Sequence, residues 1–220
     1  MFPFLFLLVF GLVAIGTYFA QAQARQARNR SIATLARSVK FDFSTSDPEE
    51  ISGMPFSLFR LGHSRKTGPV IWGTHDNLPV HIFDYEYVTG EGRSRQVHHN
   101  TCGLLTVPAA CPSLQLTHEN ALTRFADHFD HHDVKLEYDD FNRRFQVNCQ
   151  HQKFAFSLLD AQMMEWLLTS DSFDRLEIVG PWVLIVRTRL QPALWLSLGN
   201  WLTAFHAHVP EIVYSAYPPR

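Results

Sequence analysis

From Phe2 to Ala20 the chain is apolar without a break, FPFLFLLVFGLVAIGTYFA, with no charge inside the run and none before it. A bilayer's hydrocarbon core takes a helix of roughly 20 apolar residues. Lipid offers backbone N–H and C=O groups no partner, so a helix is the form required there. The pattern therefore predicts a transmembrane helix over residues 1–20. Pro3 stands near its start, where a missing N–H costs little, and Tyr18 near its exit suits the interfacial layer. The next segment, QAQARQARNRSIATLARSVK, is rich in helix-forming Ala, Gln and Arg. It predicts a helical stalk that continues the span. Acidic, Ser, Thr and Pro residues between Asp42 and Glu50 then mark a linker. Residues 21–53 read as basic stalk plus acidic linker, with the folded domain starting near Met54.

Beyond that point the periodicity changes. Phe56–Leu61, Val70–Thr74 and Val80–Val88 are short, β-branched or aromatic segments broken by Gly or Pro, which predicts strands. In HIFDYEYV, Phe83, Tyr85 and Tyr87 form the core-facing set, and Ile82, Asp84, Glu86 and Val88 the opposite one. Gly90 and Gly92 predict a turn, after which Gln96–Val107 returns as a strand. Residues 54–116 thus predict a five-stranded antiparallel meander or a small barrel-like sheet. From Thr117, an N-cap candidate, Leu122, Phe125, Ala126 and Phe129 fall on one helical face. A hairpin of Val134–Tyr138 with Phe145–Cys149, a helix over residues 154–168, and a hairpin across Gly180-Pro181 follow. A last helix runs from about Ala193 to His208, stopped by Pro210. The expected fold class is α+β: a transmembrane helix, a sheet meander, and an α-ββ-α-ββ-α half over residues 117–220.

Charge adds an orientation. Arg25, Arg28, Arg30, Arg37 and Lys40 follow the span, and no acidic residue precedes Asp42. Positive flanks stay inside, which predicts an outer N-terminus and a cytoplasmic domain at the cell membrane. The same five residues are the candidate membrane-surface contacts, through anionic headgroups. A cleaved signal peptide is the rival, because Ala20-Gln21-Ala22 and Ala22-Gln23-Ala24 look like small-x-small sites; the absence of a positive n-region argues against it. The three cysteines are an odd number. Cys102 and Cys111 are a candidate pair in an exported chain, and otherwise all three read as small buried hydrophobes. A formal net charge of −2 implies no general affinity for nucleic acid.

Several phrases carry a family resemblance: FRLGHSR (59–65), VIWGTHD (70–76), FDYEY (83–87), FNRRFQV (141–147), FAFSLLDAQMMEWLL (154–168), EIVGPWVLI (177–185) and FHAHVPEIVYSAYP (205–218). Together they resemble a family of uncharacterised membrane-associated proteins from actinobacteria and related bacteria, over nearly all of the chain outside the anchor and linker. The second half is also distantly similar to a broader bacterial domain of unknown function, with a phenylalanine-rich hairpin followed by a Leu- and Met-rich helix. The resemblance implies a membrane-tethered bacterial domain and supplies no catalytic residues.

The densest polar cluster is DHFDHHD, residues 127–133. His128 and His132, at i and i+4, with Asp133 form the candidate metal set. A polar loop at a helix end explains the same residues, and no recognised ligand spacing is matched. His98 and His99 are adjacent on a strand and face opposite ways. Arg60, Arg65, Lys66, Arg93 and Arg95 fall around two turns of the first sheet, where they could meet headgroups or act as solvated turn charges. Trp195, Trp201, Tyr214 and Tyr217 are the candidate partner surface, since exposed aromatics anchor interfaces. There is no phosphate loop, dinucleotide fingerprint, G-x-S-x-G, HExxH or CxxC. No cofactor is expected. The leading expectation is a membrane-tethered, non-enzymatic cytoplasmic module that meets membrane lipid through its N-terminal helix and whose domain binds a protein or lipid partner. The alternatives are a metal-dependent enzyme at the membrane and an exported envelope domain.

Overall fold

The computed structural model describes residues 2–47, 50–125, 133–170 and 173–219, with side chains described from Ile15 onward. Helix α1, Phe2–Ser38, is continuous, as the stalk pattern anticipates. Among the described residues no helix is long and apolar enough to cross a membrane. Of the apolar run, only residues 15–20 have described side chains.

The last third of α1 is no free stalk. From Ile15 to Ala27 every residue is exposed. From Arg28 on, one edge of the helix turns inward: Ile32 and Ala36, four apart, are fully buried, and Leu35 and Val39 pack beside them. The helix ends in a Schellman arrangement, with Lys40 at φ 59° and the Phe41 N–H donating to the Ala36 carbonyl at 2.9 Å. Phe41 then lies across Gly73, where an added Cβ would fall 2.4 Å from its ring. That close approach needs glycine.

Among the described residues six antiparallel strands form one sheet: β1 (Asp42–Ser44), β2 (His63–His75), β3 (Leu78–Thr89), β4 (Gln96–His118), β5 (Phe145–Cys149) and β6 (Arg175–Thr188). Asp76 and Asn77, at φ 47° and 64°, make the two-residue turn between β2 and β3; positive φ at both positions matches the twist of a tight hairpin. Strand β4 is the spine. Cys102 sits between Phe83 of β3 and Val186 of β6, and Leu114 between Cys149 of β5 and Ile178 of β6. The sheet therefore runs straight across the 116/117 boundary and unites the two sequence halves.

Several local expectations change. The hairpin across Gly180-Pro181 is one continuous strand; Gly180, at φ 58°, absorbs a local irregularity opposite Cys111 without reversing the chain. The partner hairpin of β5 shrinks to a single bridge, Asp133 to Asn148, and helix α3 (Asp139–Arg144) leads directly into β5. The predicted helix over residues 154–168 is two, α4 (Gln152–Leu158) and α5 (Ala161–Thr169). Asp160 divides them by accepting the Met163 N–H at 2.8 Å as an N-cap. Leu58–Arg60 is a 3-10 turn and no strand. Thr117 stays in β4, and a 3-10 turn precedes α2 (Leu122–Phe125). Helix α6 (Trp195–His208) ends before Pro210 as expected, and α7 (Glu211–Ala216) follows.

Both faces of the sheet are covered. Ile71, Ile82, Leu105 and Ile185 pack with residues of α1, α5 and α6. The opposite set, Phe83, Tyr85 and Tyr87 with Cys102 and Leu184, packs against Phe56, Phe59 and Phe125. The alternation in HIFDYEYV is real, but its second set is buried too: Ile82 is fully buried and Asp84 nearly so.

Candidate functional site

Asp84 is a carboxylate on a buried strand face, and the fold answers it with charge. Arg28 of α1 donates to both of its oxygens, at 2.6 and 2.8 Å, and to the Leu190 carbonyl at 2.8 Å. The Thr101 hydroxyl donates to Asp84 at 3.0 Å and Arg189 approaches at 3.5 Å. A bidentate guanidinium is the strong, directional form of such a pair. The Arg28 guanidinium also stands 5.8 Å from the centre of the Trp195 ring. This cluster fastens α1 to β3 and the turn before α6.

Beside it lies an open cleft of about 1020 Å³ between α1 and the sheet. Arg25, Arg28, Lys66, Arg95 and Arg189 line it against two carboxylates, Asp84 and Glu86. Glu86 meets His99 Nδ1 at 2.9 Å, so one row across β2, β3 and β4 carries Lys66, Glu86 and His99. Val97, with 36% of its surface exposed, adds an apolar patch to the wall. The arrangement is a cationic groove with an apolar lip, suited to holding an anion.

On the opposite face a second pair is sealed. Arg175 and Glu177 are 2.9 Å apart and 0% and 1% exposed. Glu177 accepts the backbone N–H groups of Ser57 and Leu58 at 2.7 and 3.0 Å, and Arg175 donates to Gln115 and to the Ser57 hydroxyl. The Arg175 guanidinium lies 5.0 Å over the Phe125 ring. The pair straps the segment before β2 onto β6.

The expected sites divide as follows. Arg25, Arg30, Arg37 and Lys40 are exposed, and Arg25 reaches the cleft. Arg28 is corrected: its guanidinium is bound to both Asp84 oxygens and to the Leu190 carbonyl, so it does not stand free toward a membrane surface. The partner surface is corrected as well. Trp195 is fully buried, and Trp201 is 5% exposed, stacked on Phe205 with its indole N–H on the Ser170 carbonyl at 2.9 Å. Tyr214 is half-buried with its hydroxyl 2.5 Å from His206 Nδ1, and Tyr217 packs edge-on against Phe154. Helix α6 lies between the sheet and α5, so its aromatics are core. His128 and His132 lie outside the described residues; Asp133 is exposed. Among the described residues no group of three His, Cys, Asp or Glu is placed to hold a metal.

All three cysteines are buried free thiols. Burial pushes Cys111 up to about 11 and raises Cys102 and Cys149 as well. A Cys102–Cys111 disulfide does not fit the sheet: the two stand opposite Val186 and Gly180, six residues apart on β6, about 20 Å at strand rise and far beyond disulfide reach. His98 and His99 diverge as expected, His98 stacking on Tyr87 and His99 reaching Glu86. Of the turn cations, Lys66 and Arg95 line the cleft, while Arg65 folds back onto the carbonyls of Arg60, Leu61 and Gly62. Arg189 was invisible in sequence because nothing local links it to residue 84.

The fold is thus a mixed α+β domain with a six-stranded antiparallel sheet and a long N-terminal helix laid on one face. No family model and no curated protein matches the chain. Among solved structures it is similar to the mycobacterial trehalose monomycolate transport factor A, TtfA, with a TM-score of 0.57 and 14% identity. The match covers 83% of this chain and 96% of that one. It shows a shared fold.

Proposed function

We propose that the chain is a single-pass membrane protein whose α+β domain works at the cytoplasmic surface as a non-enzymatic module that meets lipid or protein there. The observation that carries this reading is α1. One uninterrupted helix joins the apolar run to the sheet, and Arg28 with Asp84 clamps it in place. A loose linker would leave the domain's orientation free; this connection gives it a fixed face. The arginines that follow the run support an outer N-terminus and an inner domain. The resemblance to membrane-associated actinobacterial proteins supports the tether. The fold shared with a trehalose monomycolate transport factor supports a lipid-facing task.

The test uses the full chain in bacterial cells, with a reporter active only in the cytoplasm, and separately one active only outside it, fused after Arg220. Membranes are washed in carbonate and the mature N-terminus is sequenced. The expected result is a carbonate-resistant membrane fraction, an active cytoplasmic reporter and a retained Phe2. An active external reporter with a mature chain beginning after Ala22 or Ala24 overturns the reading in favour of an exported domain.

A further inference from the structure

The cleft beside α1 brings Arg25, Arg28, Lys66, Arg95 and Arg189 against two carboxylates, Asp84 and Glu86, the latter opposite Lys66 in register, and so carries an excess of positive charge. Asp84 is taken up by Arg28 and Arg189, and Glu86 faces His99. Among the described residues Arg25, Lys66 and Arg95 enter no ion pair and no side-chain hydrogen bond, and all three are exposed. They come from α1, from β2 and from the turn before β4, so three separate elements bring positive charge to one cavity in a chain whose net charge is −2. Solvated surface lysines scatter; these converge on a concave wall.

Position adds a second constraint. The helical wall of the cleft begins at Gln21, the first residue after the apolar run. From Gln21 to Arg28 is about 10 Å at helical rise. If the run is in the bilayer, the mouth of the cleft stands at headgroup depth. Its volume, about 1020 Å³, far exceeds a bare phosphate and accommodates a headgroup with its glycerol.

We propose that this cleft seats the headgroup of an anionic phospholipid, with Arg25, Lys66 and Arg95 donating to the phosphate and Val97 against the glycerol end of the chains. The inference deepens the tethered-module reading and rests on it for the source of the ligand. Several cations from different elements around one phosphate give charge-assisted hydrogen bonds that a zwitterionic headgroup, carrying its own ammonium, answers less well.

The experiment takes the full chain in micelles of a neutral maltoside detergent and titrates in dihexanoylphosphatidylglycerol by calorimetry. Dihexanoylphosphatidylcholine and inorganic phosphate serve as comparators. The expected result is saturable binding of the glycerol lipid at least tenfold tighter than of either comparator. The double substitution Lys66→Ala with Arg95→Ala loses at least tenfold with an unchanged thermal melt, while Arg37→Ala, a cation on the same helix outside the cleft, changes nothing. Equal binding of the two lipids overturns the proposal. So does inorganic phosphate binding as tightly as the lipid, which would make the site one for free anions, or an equal loss in Arg37→Ala, which would make the attraction diffuse. Because the micelle stands in for the bilayer, the titration reads the cleft whether or not the cellular topology test finds a membrane protein, and the two readings fail by separate results.

Discussion

The two arginine–carboxylate pairs sit on opposite faces of the same sheet and have unlike surroundings. Arg175 and Glu177 are sealed, held by Ser57 and Leu58 of the strap, by Gln115 of β4 and by the Phe125 ring. Arg28 and Asp84 are 15% and 9% exposed in their side chains and border open solvent, with Arg189 as a spare cation. A sealed pair has no substitute if one member goes, because water cannot reach the charge left behind. The bordering pair has both water and Arg189 to call on. The first is a staple for the whole fold; the second is a local clasp whose neighbourhood is free to take a ligand.

The sharpest way to break the contrast is to remove one member of each. Glu177→Ala leaves a buried guanidinium uncompensated and orphans two backbone N–H groups, and costs about 3–5 kcal/mol of global stability in urea unfolding. Replacing both members, Arg175→Met with Glu177→Leu, recovers part of that loss. Arg28→Ala costs about 1.5–3 kcal/mol of the free energy of local opening at the end of α1, the range for hydrogen bonds to a charged group. Its loss appears as hydrogen exchange confined to residues 28–38, with the urea midpoint of the sheet little moved. If both substitutions lower the global midpoint equally, the distinction between staple and clasp is wrong. Arg28→Lys restores charge without the bidentate fork and recovers exchange protection only partly.

The smallest effect is a titration that leaves both pairs alone. Burial lowers the pKa of His206, and burial with Arg124 and His99 lowers that of His98, from the ordinary 6.5. Each histidine is then protonated more readily in the unfolded chain. Their contribution to stability is complete above 6.5, falls as pH drops below it, and levels off under the folded values. The melting temperature should decline between pH 7 and 5, and His206→Gln with His98→Gln should flatten that decline.

How much of this was legible in the chain depended on whether a signal was local. The alternation in HIFDYEYV placed β3 correctly, and the Ala- and Arg-rich stalk gave the continuation of α1, because each period is complete within a few turns or pleats. Gly180-Pro181 read as a reversal, yet the chain goes straight on, since β4 carries a matching irregularity near Cys111 some seventy residues away. Trp195 and Trp201 read as a partner surface because nothing in α6 itself reveals that the sheet and α5 lie against it. The Arg28–Asp84 clasp spans 56 positions. Its trace is Asp84, one of two carboxylates among the apolar residues of β3, and such a residue asks for a cation without naming one. Lys66 and Arg95 were visible as turn charges; their convergence was not.

The unbroken course of α1 makes the domain a pointer whose direction is set by helical phase. Residues on an α-helix advance by about 100° each, and the clasp fixes which side of the helix carries the sheet. Inserting one residue between Ala20 and Arg28 would swing the cleft about a quarter-turn around the helix axis, whereas inserting seven would bring it back to within about 20° of its present bearing. The length of that short polar segment is therefore an angular setting as much as a distance.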